Sequence, residues 1–309
     1  MNTALSENPL KAAIEAQMAS DQGTLFRQWS QYYLPLMDDA YRPHEDDGLR
    51  THLGASLIGD SCVRKLFYTF RWFKTPRHTG RLLRLFNRGH LEEARFLAML
   101  ACVGVDIYPQ HPETGKQFRI KGNNGHYGGA LDGLGRNVPG LGDQWVSFEM
   151  KTHGEKSFAG VKSKGVRKSK PTHYTQMQQG MGYYNLQYCV YMAVNKNTDE
   201  LYVEFVPFDE TNYRMYSERP ANIIQTDRVP TTPPRLNNAS LSYFECKFCD
   251  YSNICFSQDK VPEDVRFGCR TCQCSVPVGD AKWFCSKQQL FLDKQQQLDG
   301  CQAWEPIRD

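Results

Sequence analysis

The sequence predicts an α/β domain with a mixed central sheet flanked by helices. Three observations carry that expectation. Runs that read as strands recur at Phe118-Arg-Ile, Tyr127 to Leu131, Val146 to Lys151, Leu186 to Val194 and Leu201 to Val206. Helical candidates at 86–104 and from Pro171 onward alternate with them. At 309 residues the chain can bury a substantial core and still carry an appendage.

The elements follow in order. Residues 1–50 read as a helical extension. Leu10, Ala13, Ile14 and Met18 have helical spacing, and Phe26, Trp29, Tyr32 and Tyr33 continue the apolar stripe until Pro43 and Glu45-Asp46-Asp47 break it. Residues 51–260 read as the main domain. Within it, 55–75 carries Ser56, Cys62, Arg64 and Tyr68 on a helix candidate, and the 86–104 helix starts after Gly89. Lys156, Lys162, Lys164, Arg167, Lys168 and Lys170 crowd one Gly- and Ser-containing stretch. It reads as a solvated loop or as a phosphate contact. Pro171 opens a helix with His173, Gln176, Gln178, Gln179 and Tyr183. The two last strands pair around Asn195-Lys-Asn, a helix covers 208–219, and Pro230, Pro233 and Pro234 lead into cysteine-rich sequence. Residues 261–309 form a small appendage.

Composition excludes several classes. Hydrophobic residues make up 40%, with no apolar run near the roughly 18 residues that cross a bilayer. The opening Met-Asn-Thr-Ala-Leu-Ser-Glu lacks the flank and core of a signal peptide, so a cytoplasmic location is expected. No P-loop is present and no G-x-G-x-x-G follows a strand, which argues against a helicase motor and a nucleotide-dependent oxidoreductase. A net charge of +3 is too small to identify a nucleic-acid binder by itself. Eleven cysteines are many, and seven fall between Cys246 and Cys285 inclusive. In a reducing compartment such clustering favours metal ligation over disulfides. Cys102 and Cys189, in apolar surroundings, read as core residues.

The chemistry centres on Val146-Ser-Phe-Glu-Met-Lys. Side chains alternate along a strand, so Val146, Phe148 and Met150 share one face and Ser147, Glu149 and Lys151 the other. Asp132, after Gly128-Gly-Ala-Leu, falls at the end of a neighbouring strand. Two carboxylates on adjacent strands can hold a hard cation such as Mg2+. That cation can lower the pKa of bound water and stabilise charge on a phosphodiester, and Lys151 can neutralise charge beside it. Glu93, near the opening of its helix, can add a third carboxylate, and Gln176 follows on a later helix.

The set Gly89-x-x-x-Glu93, Asp132-Gly133, Glu149-x-Lys151 and Gln176-Met-Gln resembles the PD-(D/E)XK nuclease superfamily, in its RecB-like and phage lambda exonuclease-like branches, over roughly 55–210. The first proline of that motif is absent, since Ala130-Leu131 precedes Asp132. The resemblance implies a restriction-endonuclease-like core in which Glu93, Asp132 and Glu149 bind Mg2+ or Mn2+. It makes Lys151 the catalytic lysine and gives a helix glutamine a positioning role. Gln176 fits the phage pattern Tyr-x-Gln-Met-Gln, and Gln179 with Tyr183 fits the RecB-type pattern; Gln176 is preferred. The implied activity is a deoxyribonuclease, an exonuclease more than an endonuclease, working on DNA ends in recombination, repair or phage replication, with a recombination protein as a partner. The competing reading is a non-catalytic nucleic-acid- or partner-binding protein on the same fold.

Ser56-x5-Cys62-x-Arg64-x3-Tyr68 and Cys246-x2-Cys249-x5-Cys255 resemble the iron–sulfur nucleases of CRISPR adaptation and the AddB type. There, one cysteine before the core and three after it hold a [4Fe–4S] cluster. Here that implies Cys62, Cys246, Cys249 and Cys255, with a zinc site on the same residues as the alternative. Cys269-x2-Cys272, Cys285 and Cys301 have the spacing of a small zinc ribbon, with Cys274 an alternative ligand. The Cys-Arg-Thr-Cys ending is similar to tails on phage-encoded proteins of this class, which implies a phage origin and the host cytoplasm.

Overall fold

The computed structural model describes residues 8–37, 40, 48–257 and 263–307. Pro43 and Glu45-Asp46-Asp47, expected to break the N-terminal stripe, lie outside the described residues. Two compact units are present: the first comprises 1–44, 78–120 and 130–213, the second 45–77, 121–129 and 214–309.

The first unit begins with α1 (Pro9–Ser20) and α2 (Thr24–Tyr33). The Asn8 side chain caps α1 by accepting from the Leu10 and Lys11 amides. Helix α3 (Gly80–Cys102) is capped by Thr79. It runs through Gly89 rather than starting after it, so Glu93 stands in mid-helix. A single glycine costs a helix only about 1 kcal/mol, and Leu82, Leu83 and Phe86 keep the pattern going upstream. Then come β1 (Asp106–Tyr108), β2 (Gly133–Arg136) and β3 (Val146–His153). Helices α4 (Glu155–Ser169) and α5 (Pro171–Tyr184) follow, with β4 (Tyr188–Asn195) and β5 (Leu201–Pro207) after them. The sheet order is β1-β2-β3-β4-β5. Pairing is parallel only between β3 and β4, joined by the α4–α5 crossover, and antiparallel elsewhere. The mixed sheet expected from sequence is therefore present. Two short strands go beyond the sequence expectation: Gly133-Leu-Gly-Arg lacks the β-branched and aromatic residues that mark strands, and Asp106-Ile-Tyr is only three residues long.

One face of β3 makes the core. Val146, Phe148 and Met150 are 0%, 1% and 4% exposed. They pack with Val190, Met192 and Val194 of β4, with Ala94, Leu97 and Leu100 of α3, and with Leu10 and Ile14 of α1. Each such side chain contributes about 1.5–3 kcal/mol by leaving water. The α4 region, read above as a loop, is helical, but Gly165 breaks it with φ +72° and ψ 166°. Beyond that break the Val166 amide donates to Glu204 Oε2 at 2.8 Å.

In the second unit, Leu53–Gly54 pairs in parallel with Tyr127 and Gly128, and the helix Val63–Phe70 carries Cys62 as its N-cap. Ser275–Pro277, Trp283–Cys285 and Leu290–Leu292 form an antiparallel sheet with Trp283–Cys285 in the middle. Phe70, Trp72 and Trp283 surround Arg270, which is 0% exposed. The cysteine-rich C-terminal segment thus shares a core with 48–77. Among the described residues no helix is long and apolar enough to cross a membrane.

The conformation at Gly165 is one that only glycine adopts without strain. Gly165→Ala is expected to destabilise the protein by about 1–3 kcal/mol, read as a lower urea midpoint; an unchanged midpoint would show that the break is incidental.

Candidate active site

The other face of β3 carries charge. Glu149 and Lys151 project from it, and Asp132 sits immediately before β2, whose Gly133 pairs with Phe148. The Met150 amide donates to Asp132 Oδ2 at 2.7 Å. Lys151 Nζ lies 2.5 Å from Glu149 Oε1 and 3.5 Å from Asp132 Oδ2, and donates to the Met150 carbonyl at 3.0 Å. Gln176 of α5 donates from Nε2 to Glu149 Oε2 at 3.0 Å. Four of the five expected catalytic residues therefore meet at one point. Glu93 reaches it from α3 through the fields of Asp132 and Lys151, and His90 Nδ1 lies 3.6 Å from Glu93 Oε1. Glu93 and Asp132 line a cleft of about 350 Å3.

Only Gln176 of the three candidate glutamines touches Glu149. Gln178 holds the Pro207 carbonyl and the Asp209 amide, and Gln179 holds the Tyr213 carbonyl. Tyr183 is exposed.

Burial raises the pKa of Glu149 to about 7; Lys151 pulls it down while Asp132 and Glu93 push it up. Burial also holds the Glu93 carboxyl above its usual range. For Lys151, burial opposes the charge, but Asp132 and Glu149 override it and keep the ammonium protonated. Glu149 Oε1 is buried and has no hydrogen-bond partner beyond its ion pair. No group of three or more His, Cys, Asp or Glu side chains among the described residues is arranged to hold a metal ion. The donor chemistry nevertheless suits a hard cation: carboxylate oxygens of Asp132 and Glu149 converge, with the Lys151 ammonium between them.

The strand alternation continues past Lys151 to His153, a signal present in the sequence but not used above. His153 Nε2 lies 2.8 Å and His173 Nδ1 3.2 Å from the Tyr191 hydroxyl. The two imidazoles are parallel within 8° at 5.9 Å. Burial, helped by Lys151 and Lys170, lowers His153 to about 4 and His173 to about 3, so both rings are neutral near pH 7. Lys116 and Arg119 also line the cleft, exposed and without an ion pair among the described residues. No periodicity marks them, because they follow a turn whose tip is closed by the Gly115 amide donating to the His111 carbonyl at 2.9 Å. On α4, by contrast, Lys162 pairs with Glu200 at 2.5 Å and Arg167 with Asp209 at 3.0 Å. Those two cations are already answered within the protein.

All eleven cysteines are free. Cys102 and Cys189 are buried, as expected. Cys62 Sγ accepts from the Lys65 amide at 3.4 Å, and Cys249 and Cys255 are within its electrostatic reach. Cys246 shares their turn, its carbonyl accepting from the Cys249 amide at 3.2 Å. Cys269, Cys272, Cys274, Cys285 and Cys301 line a second, smaller cavity of about 10 Å3.

No family model and no curated protein matches the chain. Similar solved structures include SSO0001, at 16% identity and TM-score 0.39 over 74% of this chain and 96% of that chain. LHK-Exo in complex with dAMP is similar at 15% identity and TM-score 0.38, over 57% of this chain and 87% of that chain. The alkaline exonuclease LHK-Exo from Laribacter hongkongensis is similar at 16% identity and TM-score 0.37, over 58% of this chain and 88% of that chain. These likenesses are remote, and a functional reading has to rest on the site's own residues.

Gln176→Leu leaves a buried carboxylate oxygen without its donor. The expected loss is about 1–3 kcal/mol of stability in metal-free buffer, measured by urea denaturation; no loss would mean that Glu149 finds another partner.

Proposed function

We propose that the protein is a metal-dependent deoxyribonuclease, an exonuclease that hydrolyses DNA phosphodiesters from ends in recombination, repair or phage replication. One observation supports this above the rest: Asp132, Glu149, Lys151 and Gln176 meet in the first unit, with Glu93 beside the same cleft. These are the residues, in the order, that the nuclease resemblance requires.

Glu93, Asp132 and Glu149 would hold Mg2+ or Mn2+, which when bound lowers the pKa of water and neutralises phosphate charge. The chain's own groups set up the rest. Gln176 fixes Oε2 of Glu149, leaving Oε1 toward Lys151. The Met150 amide fixes one oxygen of Asp132. Lys151, held fully protonated, offers its ammonium to the negative charge that develops on the phosphate as the bond breaks. Lys116 and Arg119 on the cleft wall supply cations for the DNA backbone, a role that composition alone had given to the 156–170 stretch. In the second unit Cys62, Cys246, Cys249 and Cys255 would hold a [4Fe–4S] cluster, since their thiols offer the donor set it takes. Its role is a staple between distant parts of the chain.

Asp132→Ala and Lys151→Ala are expected to fold and to lose cleavage of linear DNA in Mg2+, followed on end-labelled linear and circular substrates. Full activity in either variant rules the assignment out, and DNA binding without cleavage by the unaltered protein favours the non-catalytic reading. An anaerobic preparation is expected to be brown and to lose its visible absorbance in Cys249→Ala. A colourless protein with two zinc ions per chain excludes the iron–sulfur cluster.

A further inference from the structure

Among the described residues, two buried arginines of the second unit have no ion pair, and a thiol, Cys272, stands within electrostatic reach of one of them. Arg71 and Arg270 are both 0% exposed. Nε and Nη2 of Arg71 have no hydrogen-bond partner, and its Nη1 donates to the Ser275 carbonyl at 2.7 Å. Arg270 donates only to neutral acceptors: Gln297 Oε1 at 2.8 Å, the Phe70 carbonyl at 3.1 Å and the Thr51 carbonyl at 2.9 Å. The Trp72 and Trp283 rings lie 4.0 and 3.9 Å from its guanidinium and offset part of the cost. Two neighbouring buried cations still cost several kcal/mol each unless negative charge stands near. Cys272 is the group within electrostatic reach of Arg71.

Burial and the neighbouring thiols push the Cys269 thiol up to about 12, and its Sγ donates to the Gln296 carbonyl at 3.3 Å, so a bound cation is needed to draw out the thiolates. Cys269 is within electrostatic reach of Cys272, Cys285 and Cys301. The Glu305 amide donates to Cys272 Sγ, the Gln288 amide to Cys285 Sγ and Gln288 Nε2 to Cys301 Sγ, each at 3.4 Å. The cavity the sulfurs share, about 10 Å3, has room for about one water-sized body.

We propose that Cys269, Cys272, Cys285 and Cys301 bind one zinc ion as a tetrathiolate, and that buried Arg71, within electrostatic reach of Cys272, offsets part of that centre's negative charge. One Zn2+ displaces four thiol protons to solvent, so the centre carries a net charge of −2, which the Arg71 cation partly offsets. Sulfur donors select zinc over Mg2+ or Ca2+. The thiols line the cavity without being gathered as a metal-holding group; loss of their protons to the ion is what draws them to about 2.3 Å. Cys274 lines the same cavity beside Cys272 and Cys285; it is left out of the four, and its serine variant tests that choice. The inference stands apart from the nuclease reading, because it concerns other residues and another unit.

Zinc content of the full chain, measured by elemental mass spectrometry, tests the site. Cys285→Ser is expected to hold one zinc fewer per chain than wild type, and Cys274→Ser the same number. Equal zinc in Cys285→Ser and wild type overturns the site. Co2+ loading gives a second readout that does not depend on stability: wild type and Cys274→Ser should both show the visible bands of a tetrahedral tetrathiolate, and their absence from both also overturns it. Arg71→Met should weaken zinc retention against a chelator by about tenfold or more, with Arg71→Lys restoring most of it. It should also raise the thermal midpoint of the zinc-free chain while lowering that of the zinc-loaded chain. A rise in the zinc-loaded chain overturns the charge balance.

Discussion

A carboxylate buried in a protein interior has to be answered by positive charge, and the site on β3 is organised by that requirement. Glu149 is 3% exposed, and leaving it unpaired there would cost several kcal/mol. Lys151, two residues along the same strand face, supplies the cation. Lys151 in turn needs the second carboxylate of Asp132, which the antiparallel pairing of β2 with β3 brings alongside. Gln176 closes the ring from α5, whose place is set by the crossover that parallel pairing of β3 and β4 demands. Each partner depends on a different strand or helix, so the charged cluster and the sheet specify one another.

The same strand shows what could be read in advance. Its alternation predicted both a core face and a charged face, and the structure has both, because a period of two is a local property of extended backbone. The helix from Pro171 was legible for a similar reason: proline at N1 is a local signal. Helix α3 starts well before Gly89, since the weak penalty of one glycine is outweighed by the apolar residues upstream of it. Strand β2 left no trace in composition; it exists because β1 and β3 offer it hydrogen bonds on either side, which is tertiary information. Lys116 and Arg119 were invisible for a related reason, as only the turn that follows β1 brings them to the cleft.

Charge in the second unit obeys the same rule as charge in the first, with different materials. Arg270 lies between tryptophan rings and donates to neutral oxygens, so its position is determined in detail while its charge is only partly compensated. A core of this composition ties 48–77 to the C-terminal segment through directional contacts. It gives a short stretch of sequence, too small to bury much of its own, a fixed partner within the unit.

The crossover between β3 and β4 also bears on how the protein folds. Asp132, Glu149, Lys151 and Gln176 all lie within residues 132–176, along a path of adjacent strands and the two helices that follow them. Contacts of that separation close short loops, and short loops form before long ones. The charge cluster therefore belongs to the part of the first unit that can assemble early, and Glu93, on the preceding helix, docks onto a carboxylate–lysine pair already in place.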